Sequence, residues 1–353
     1  MSQHENGDFG DDVAPTESEE CSNRVGGSLG ETCIRAVGGC LGKRAGERIP
    51  VALTHCREYV YADVLQAVQG CLQVCGFAPA YGASVLVKPN LLKVDTTGLC
   101  CTHPAVVAAV CESAKDAGCR VTVGDSPAFG SAASVARYIG LSAYCAKLGV
   151  PLITLDSPVC VTFSSGNSIG ISRNALESDL LLNVPRVKAH SQMRMTVGVK
   201  NLFGCVSGVR KAIAHSTHGD KANAFRELLV DVALAMPETA TVVDGITCMH
   251  KTGPIHGEPY PLGLIGAAGD PVSLDTAVYT ALGRRVDELP LWEELQRRNV
   301  RGAFAGQLDY VLSAPEEFDG SGFELPYDLK PESFHPARLL VSSVKRLWKR
   351  YVE

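Results

Sequence analysis

From about residue 48 the chain alternates short apolar runs with segments of helical period, and this alternation restricts the fold more than any single motif does. PVALTHC (50–56), SVLVKPN (84–90), RVTVGDS (120–126), PLITLDS (151–157) and DLLLNVP (179–185) have strand length and strand composition. Between them, YADVLQAVQGCLQVCG (61–76), HPAVVAAVCESAKDAG (103–118) and SAASVARYIGLSAYCAKLG (131–149) return apolar residues at helical spacing, as Val64, Leu65, Val68 and Leu72 do. Strand–helix–strand repetition with apolar strands implies a mainly parallel sheet covered on both faces. The expected fold class is therefore α/β and doubly wound, with Rossmann-like layers. VCVTFSSGNSIGISRN (159–174) alternates differently and predicts a small antiparallel insertion. Beyond it the pattern predicts a helix over 222–237, strands over 239–246 and 262–270, and a helix over 271–283 with Asp270 as cap and Pro271 in its first turn.

Charge and composition set the flanks. MSQHENGDFGDDVAPTESEE has no Lys or Arg and few large apolar residues, so residues 1–48 read as a disordered acidic tail. Residues 49–315 form the α/β domain, and 316–353 a C-terminal extension. In that extension LLVSSVKRLWKRYVE carries Leu340, Val344, Leu347, Trp348 and Tyr351 on one face, with Lys345, Arg346, Lys349 and Arg350 beside them. It reads either as a helix docking on a partner or a membrane surface, or as one packed on its own domain. No run is long enough to span a membrane and no signal peptide is visible, so the expected compartment is the cytoplasm. A formal net charge of −5 gives no global basic field for nucleic acid. The 14 cysteines contain no C-x-x-C pair, which removes the usual zinc-ribbon and ferredoxin spacings.

The strand ends carry the chemistry. SVLV is followed by Lys88 and Asn90, RVTVG by Asp125, LITL by Asp156, LLLNVP by Arg186, Lys188 and His190, TVV by Asp244, and LIGAAG by Asp270. In an open parallel sheet all carboxyl ends share one edge, where ligands bind. Lys88, Lys188 and Lys200 then make a receptor for phosphate or carboxylate, with Asn90, Asn201, Asp125 and His103 as binding groups. Gly198 and Gly204 would let backbone approach the ligand. His190 is the proton-transfer candidate, with Lys88 and Lys200 also placed as catalytic groups, while Asp244, Asp275 and His215 are candidate ligands for a divalent metal. Each has a plainer reading: His103 as a helix cap, Asp156 as a turn residue, and the lysines as salt-bridge partners of Asp125, Asp244 or Asp275.

Taken in order, VLVKPNLL, THPAVV, VTVGDSP, LLNVPRVKAH, VGVKNLFG, VVDGI and GDPVSLDTAV resemble a prokaryotic domain of unknown function, number 362 in its series, over roughly 50–312. The resemblance picks out Lys88, Asn90, His103, Asp125, Lys188, His190, Lys200, Asn201, His215, Asp244 and Asp275. It implies no established activity. Relatives that carry an iron–sulfur cluster do so on an appended ferredoxin-like module, and this chain has no cysteine after Cys248. The leading expectation is an enzyme acting on a small anionic substrate. An iron–sulfur-associated redox or maturation accessory and a non-catalytic metabolite-binding module are the alternatives.

Overall fold

The computed structural model of the chain describes residues 47–94, 97–127, 130–207 and 223–327, together with the backbone of 34–35. In chain order the first strands are β1 (Ile34–Arg35), β2 (Ile49–His55), β3 (Ser84–Pro89), β4 (Arg120–Asp125) and β5 (Leu152–Thr154). Next come β6 (Pro158–Thr162), β7 (Ser168–Ser172), β8 (Leu180–Val184), β9 (Arg186–His190) and β10 (Arg194–Thr196). The last are β11 (Thr239–His250), β12 (Glu258–Tyr260), β13 (Leu264–Ala268) and β14 (Leu308–Tyr310). The main sheet follows the order β14-β2-β13-β11-β8-β3-β4-β5, with β9, β10 and β12 joined to its flank. β6 and β7 form the expected antiparallel pair, and the two residues of β1, inside the stretch 1–48, add a parallel strand to it.

Strand alternation sets the layers. On β3, Val85 and Val87 point toward the helices Tyr61–Val74 and Pro104–Asp116, while Leu86 points to the opposite layer with Leu181, Val199, Leu202 and Phe225. Both faces are thus buried, as continuous apolar strands require. Lys88 has the parity of Leu86 and so continues the second face. The segment 131–149 departs from the single expected helix. It splits into Ala132–Tyr138 and Leu141–Leu148 around Gly140, whose φ of 85° breaks the first helix and starts the second.

One strand overturns part of the edge argument. β13 runs antiparallel to both β11 and β2, whereas the other neighbours along the path are parallel. Asp270 therefore leaves its strand at the opposite edge from Lys88 and Asp125. There it caps the helix Pro271–Ala281, accepting the Ser273 N–H at 2.8 Å. Asp156 is exposed and bonded to Ser157, so it is a turn residue as its plainer reading held.

LLNVPRVKAH holds two strands, the first of them the expected one over 179–185. β8 ends at Val184, Pro185 interrupts the ladder, and β9 continues along the second half of the 12-residue β11 before turning back through β10. Among the described residues no helix is long and apolar enough to cross a membrane. The basic C-terminal segment 339–353 lies outside the described residues.

Candidate functional site

Lys88 enters the interior because its strand parity leaves it nowhere else to go. Its register partner on β8 is Asn183, and both are 0% exposed. A buried ammonium needs oxygen partners. Lys88 Nζ lies 2.9 Å from Asp125 Oδ1, donates to the Pro89 carbonyl at 2.8 Å and reaches Asn201 Oδ1 at 3.4 Å. Three donors meet three acceptors. Asp125 also accepts the Leu91 and Ser126 amides at 2.7 and 2.8 Å. The plainer reading holds for this pair: Lys88 is committed to the protein.

The glycines of VGVKNLFG serve the same end. A Cβ on Gly204 would stand 2.6 Å from Asp125 Oδ1 and closer still to Lys88 Nζ. On Gly198 it would stand 2.9 Å from Asp275 Oδ1 and 3.2 Å from Asn183 Nδ2. The close approach expected at a ligand is made here to the protein's own polar side chains.

Asn201, at the end of the short helix Gly198–Asn201, ties the strands together. Its amide donates to Asn183 Oδ1 at 2.8 Å and to the Lys88 carbonyl at 3.3 Å, while its oxygen accepts Asn90 Nδ2 at 3.0 Å. Asn90 in turn accepts from Lys188 Nζ at 2.6 Å, and Lys188 also donates to the Cys100 carbonyl at 3.2 Å. Lys88, Asn90, Asp125, Lys188 and Asn201 therefore form one continuous hydrogen-bonded network.

A second cluster adjoins it. Asp244 accepts the Tyr59 hydroxyl at 2.8 Å and the His103 amide at 2.9 Å, and lies 3.8 Å from Arg186 Nε. The Arg186 guanidinium donates to the carbonyls of Thr247, Gly98 and Cys101 and to the Tyr59 hydroxyl. His103 caps the helix Pro104–Asp116 through Nδ1 and stacks on Tyr59 with ring centroids 3.7 Å apart. Burial pushes its pKa down.

Asp275 finds its partners in backbone. It accepts the Gly198 and Val199 amides at 2.6 and 3.1 Å and the Tyr279 hydroxyl at 3.3 Å. Even so, complete burial pushes its pKa up to about 7. Asp244 and Asp275 thus both accept from protein donors, and among the described residues no group of three or more His, Cys, Asp or Glu side chains forms a metal set. His215 lies outside the described residues.

His190 and Lys188, two apart on β9, share a strand face as expected. His190 Nδ1 accepts the amides of Gln192 and Met193 at 3.1 and 3.4 Å, so the neutral ring carries its proton on Nε2. Lys200 is half-buried on the Gly198–Asn201 helix. Sequence reasoning missed Asn183, Tyr59, Thr102 and Gln192. Asn183 was visible as the one polar residue inside an apolar run. Thr102 bridges Asn90 N–H and the Val184 carbonyl, and Gln192 Oε1 is buried with no hydrogen-bond partner among the described residues.

A family model described as "Domain of unknown function (DUF362)" matches residues 85–280. A curated relative, the "Thylakoid-associated protein sll1697" of Synechocystis sp. (strain ATCC 27184 / PCC 6803 / Kazusa), is 35% identical over 308 residues, covering 86% of this chain and 96% of that protein. The chain belongs to the DUF362 family. The DUF362 match contains every residue of the two clusters except Tyr59. Among solved structures, the lactate racemase apoprotein from Thermoanaerobacterium thermosaccharolyticum is similar at 17% identity with a TM-score of 0.36, over 57% of this chain and 52% of that one. The chain thus spans about half the length of that structure, and a likeness of this degree carries no mechanism.

Charge balance sets one residue of this DUF362 site apart. Lys88 faces Asp125, and Arg186 faces Asp244. Lys188 is equally buried, yet among the described residues its hydrogen-bond partners are an amide oxygen and a carbonyl, neither of them charged. Burial pushes its pKa down, opposed by the nearby Cys100 and Cys101 thiols and by Asp125.

Proposed function

We propose that this chain binds and acts on a small anionic metabolite, a carboxylate or a phosphate, at the carboxyl edge of its parallel strands, with Lys188 as the cation that receives it. The observation that carries this reading is the bonding of Lys188: a buried ammonium with two neutral acceptors keeps one N–H donor and its charge for a ligand. Lys200, half-buried on the adjoining short helix, supplies a second cation. His190, on the same strand face as Lys188 and held through Nδ1 by the Gln192 and Met193 amides, is the proton-transfer group of this reading. Lys88 and Asp125 act as the frame that orients Asn201 and Asn90, not as reacting groups.

The test is thermal denaturation with increasing inorganic phosphate, and separately with acetate and succinate. The native protein is expected to gain stability with at least one of these, Lys200→Met to gain less, and Lys188→Met to gain none while remaining folded. Equal stabilisation of Lys188→Met and the native protein overturns the reading.

A further inference from the structure

Two neighbouring cysteines beside Lys188 form a distinct feature. Cys100 and Cys101 lie in the turn after β3, 0% and 1% exposed, with their sulfur atoms 3.7 Å apart. Consecutive side chains of an extended strand point apart, so this convergence comes from the turn. The turn itself is held from several sides. The Cys100 carbonyl accepts from Lys188, the Cys101 carbonyl accepts from Arg186 at 2.9 Å, and both thiols are directed at the Lys93 carbonyl, at 3.4 and 3.5 Å.

We infer that Cys100 and Cys101 are a two-thiolate site for one soft monovalent cation of the copper(I) class, with Lys188 balancing its charge. Thiolate sulfur selects soft ions. Zinc takes four ligands, and among the described residues no third His, Cys, Asp or Glu joins this pair. Copper(I) is satisfied by two thiolates. Loading breaks two S–H bonds, forms two Cu–S bonds and releases two protons to water, with no change of oxidation state. The product carries one negative charge, and the buried ammonium that lacks a carboxylate lies beside it.

A disulfide is the rival state. Consecutive Cα atoms stand about 3.8 Å apart, below the spacing of about 4.4–6.8 Å that disulfides prefer, so ring closure would strain the turn and favour the dithiol.

The site shares Lys188 with the anion reading but does not rest on it. The full chain, reduced and handled without oxygen, is titrated with copper(I) supplied as its bicinchoninate complex. The native protein is expected to withdraw one copper(I) with two sulfur neighbours by X-ray absorption. The Cys100→Ala/Cys101→Ala variant is expected to bind it at least ~10-fold more weakly, and Lys188→Met to bind it about 10-fold more weakly, the equivalent of one pKa unit of charge interaction. Replacing the exposed Cys160 by Ala should change nothing. No uptake, three or more sulfur neighbours, or unchanged affinity in the double variant overturns the site. The absorption result on the native protein decides the matter even if the double variant does not fold. A phosphate-induced gain of stability that persists in the double variant keeps the anion reading separate.

Discussion

Lys88 and Asp125 face one another at 2.9 Å with side chains 0% and 4% exposed, and Gly204 closes over them with no room for a Cβ. Removing one partner of such a pair leaves the other charge buried and unpaired. Lys88→Ala or Asp125→Ala is therefore expected to lower stability by about 3–5 kcal/mol. Lys88→Met combined with Asp125→Leu should cost well under the sum of the single changes, because the two desolvation penalties disappear together. Urea denaturation of the four proteins checks this. Single changes that cost less than the double change would remove the pair from its place as the frame of the site.

Gly204→Ala tests the same contact from the other side. The added methyl would push against both members of the pair, so a loss of about 1–3 kcal/mol is expected. Gly70, inside the helix Tyr61–Val74, has open space where a methyl group would stand, with nothing within 4 Å, and Gly70→Ala should instead raise stability by about 0.5–1 kcal/mol. Opposite signs in one thermal-denaturation series are the expected result.

Much of this arrangement is legible in the sequence. The strand-and-helix alternation places β3, β4, β8 and β11 side by side, and that alone brings Lys88, Asp125 and Asp244 to one edge. Strand direction is not legible in LIGAAG, because a buried antiparallel strand between two parallel ones is as apolar as they are. Asp270 is misplaced for that reason alone. The burial of Asp275 can be read from its place among Val272, Val278 and Tyr279, but its partners cannot. Amide donors at the start of a four-residue helix leave no mark in composition. Tyr59 is equally silent, since it precedes its helix and reaches Asp244 across 185 residues of sequence.

Asp275 should make stability depend on pH. Its pKa is raised from 3.8 to about 7, so between those values the folded chain holds a proton that the unfolded chain has released. Protons then favour the folded state, and the Asp275 contribution to stability falls as pH rises from about 4 to about 7, with a limiting slope of one proton. Asp275→Asn cannot ionise and should lose that slope, at a cost of about 1–3 kcal/mol from the amide that loses its acceptor. Denaturation midpoints between pH 4 and 8 check both, and an unchanged slope in the variant would count against the assignment.

Lys188 gives the opposite sign and links the site to its ligand. Burial holds its folded pKa below the ordinary lysine value of 10.5, so above the folded pKa the unfolded chain binds more protons and stability rises with pH until 10.5 is reached. A bound anion stabilises the ammonium form that burial disfavours and raises this pKa again. Binding should therefore take up a proton wherever Lys188 is neutral in the free protein, and affinity should fall as pH rises, by at most tenfold per pH unit. Acetate is a suitable probe because its own carboxyl group does not titrate in this range. Calorimetric titration in two buffers of different ionisation enthalpy reads the proton directly. In Lys188→Met both the acetate affinity and the buffer dependence should disappear together; acetate binding that is independent of pH and of buffer in the native protein would show that another group receives the anion.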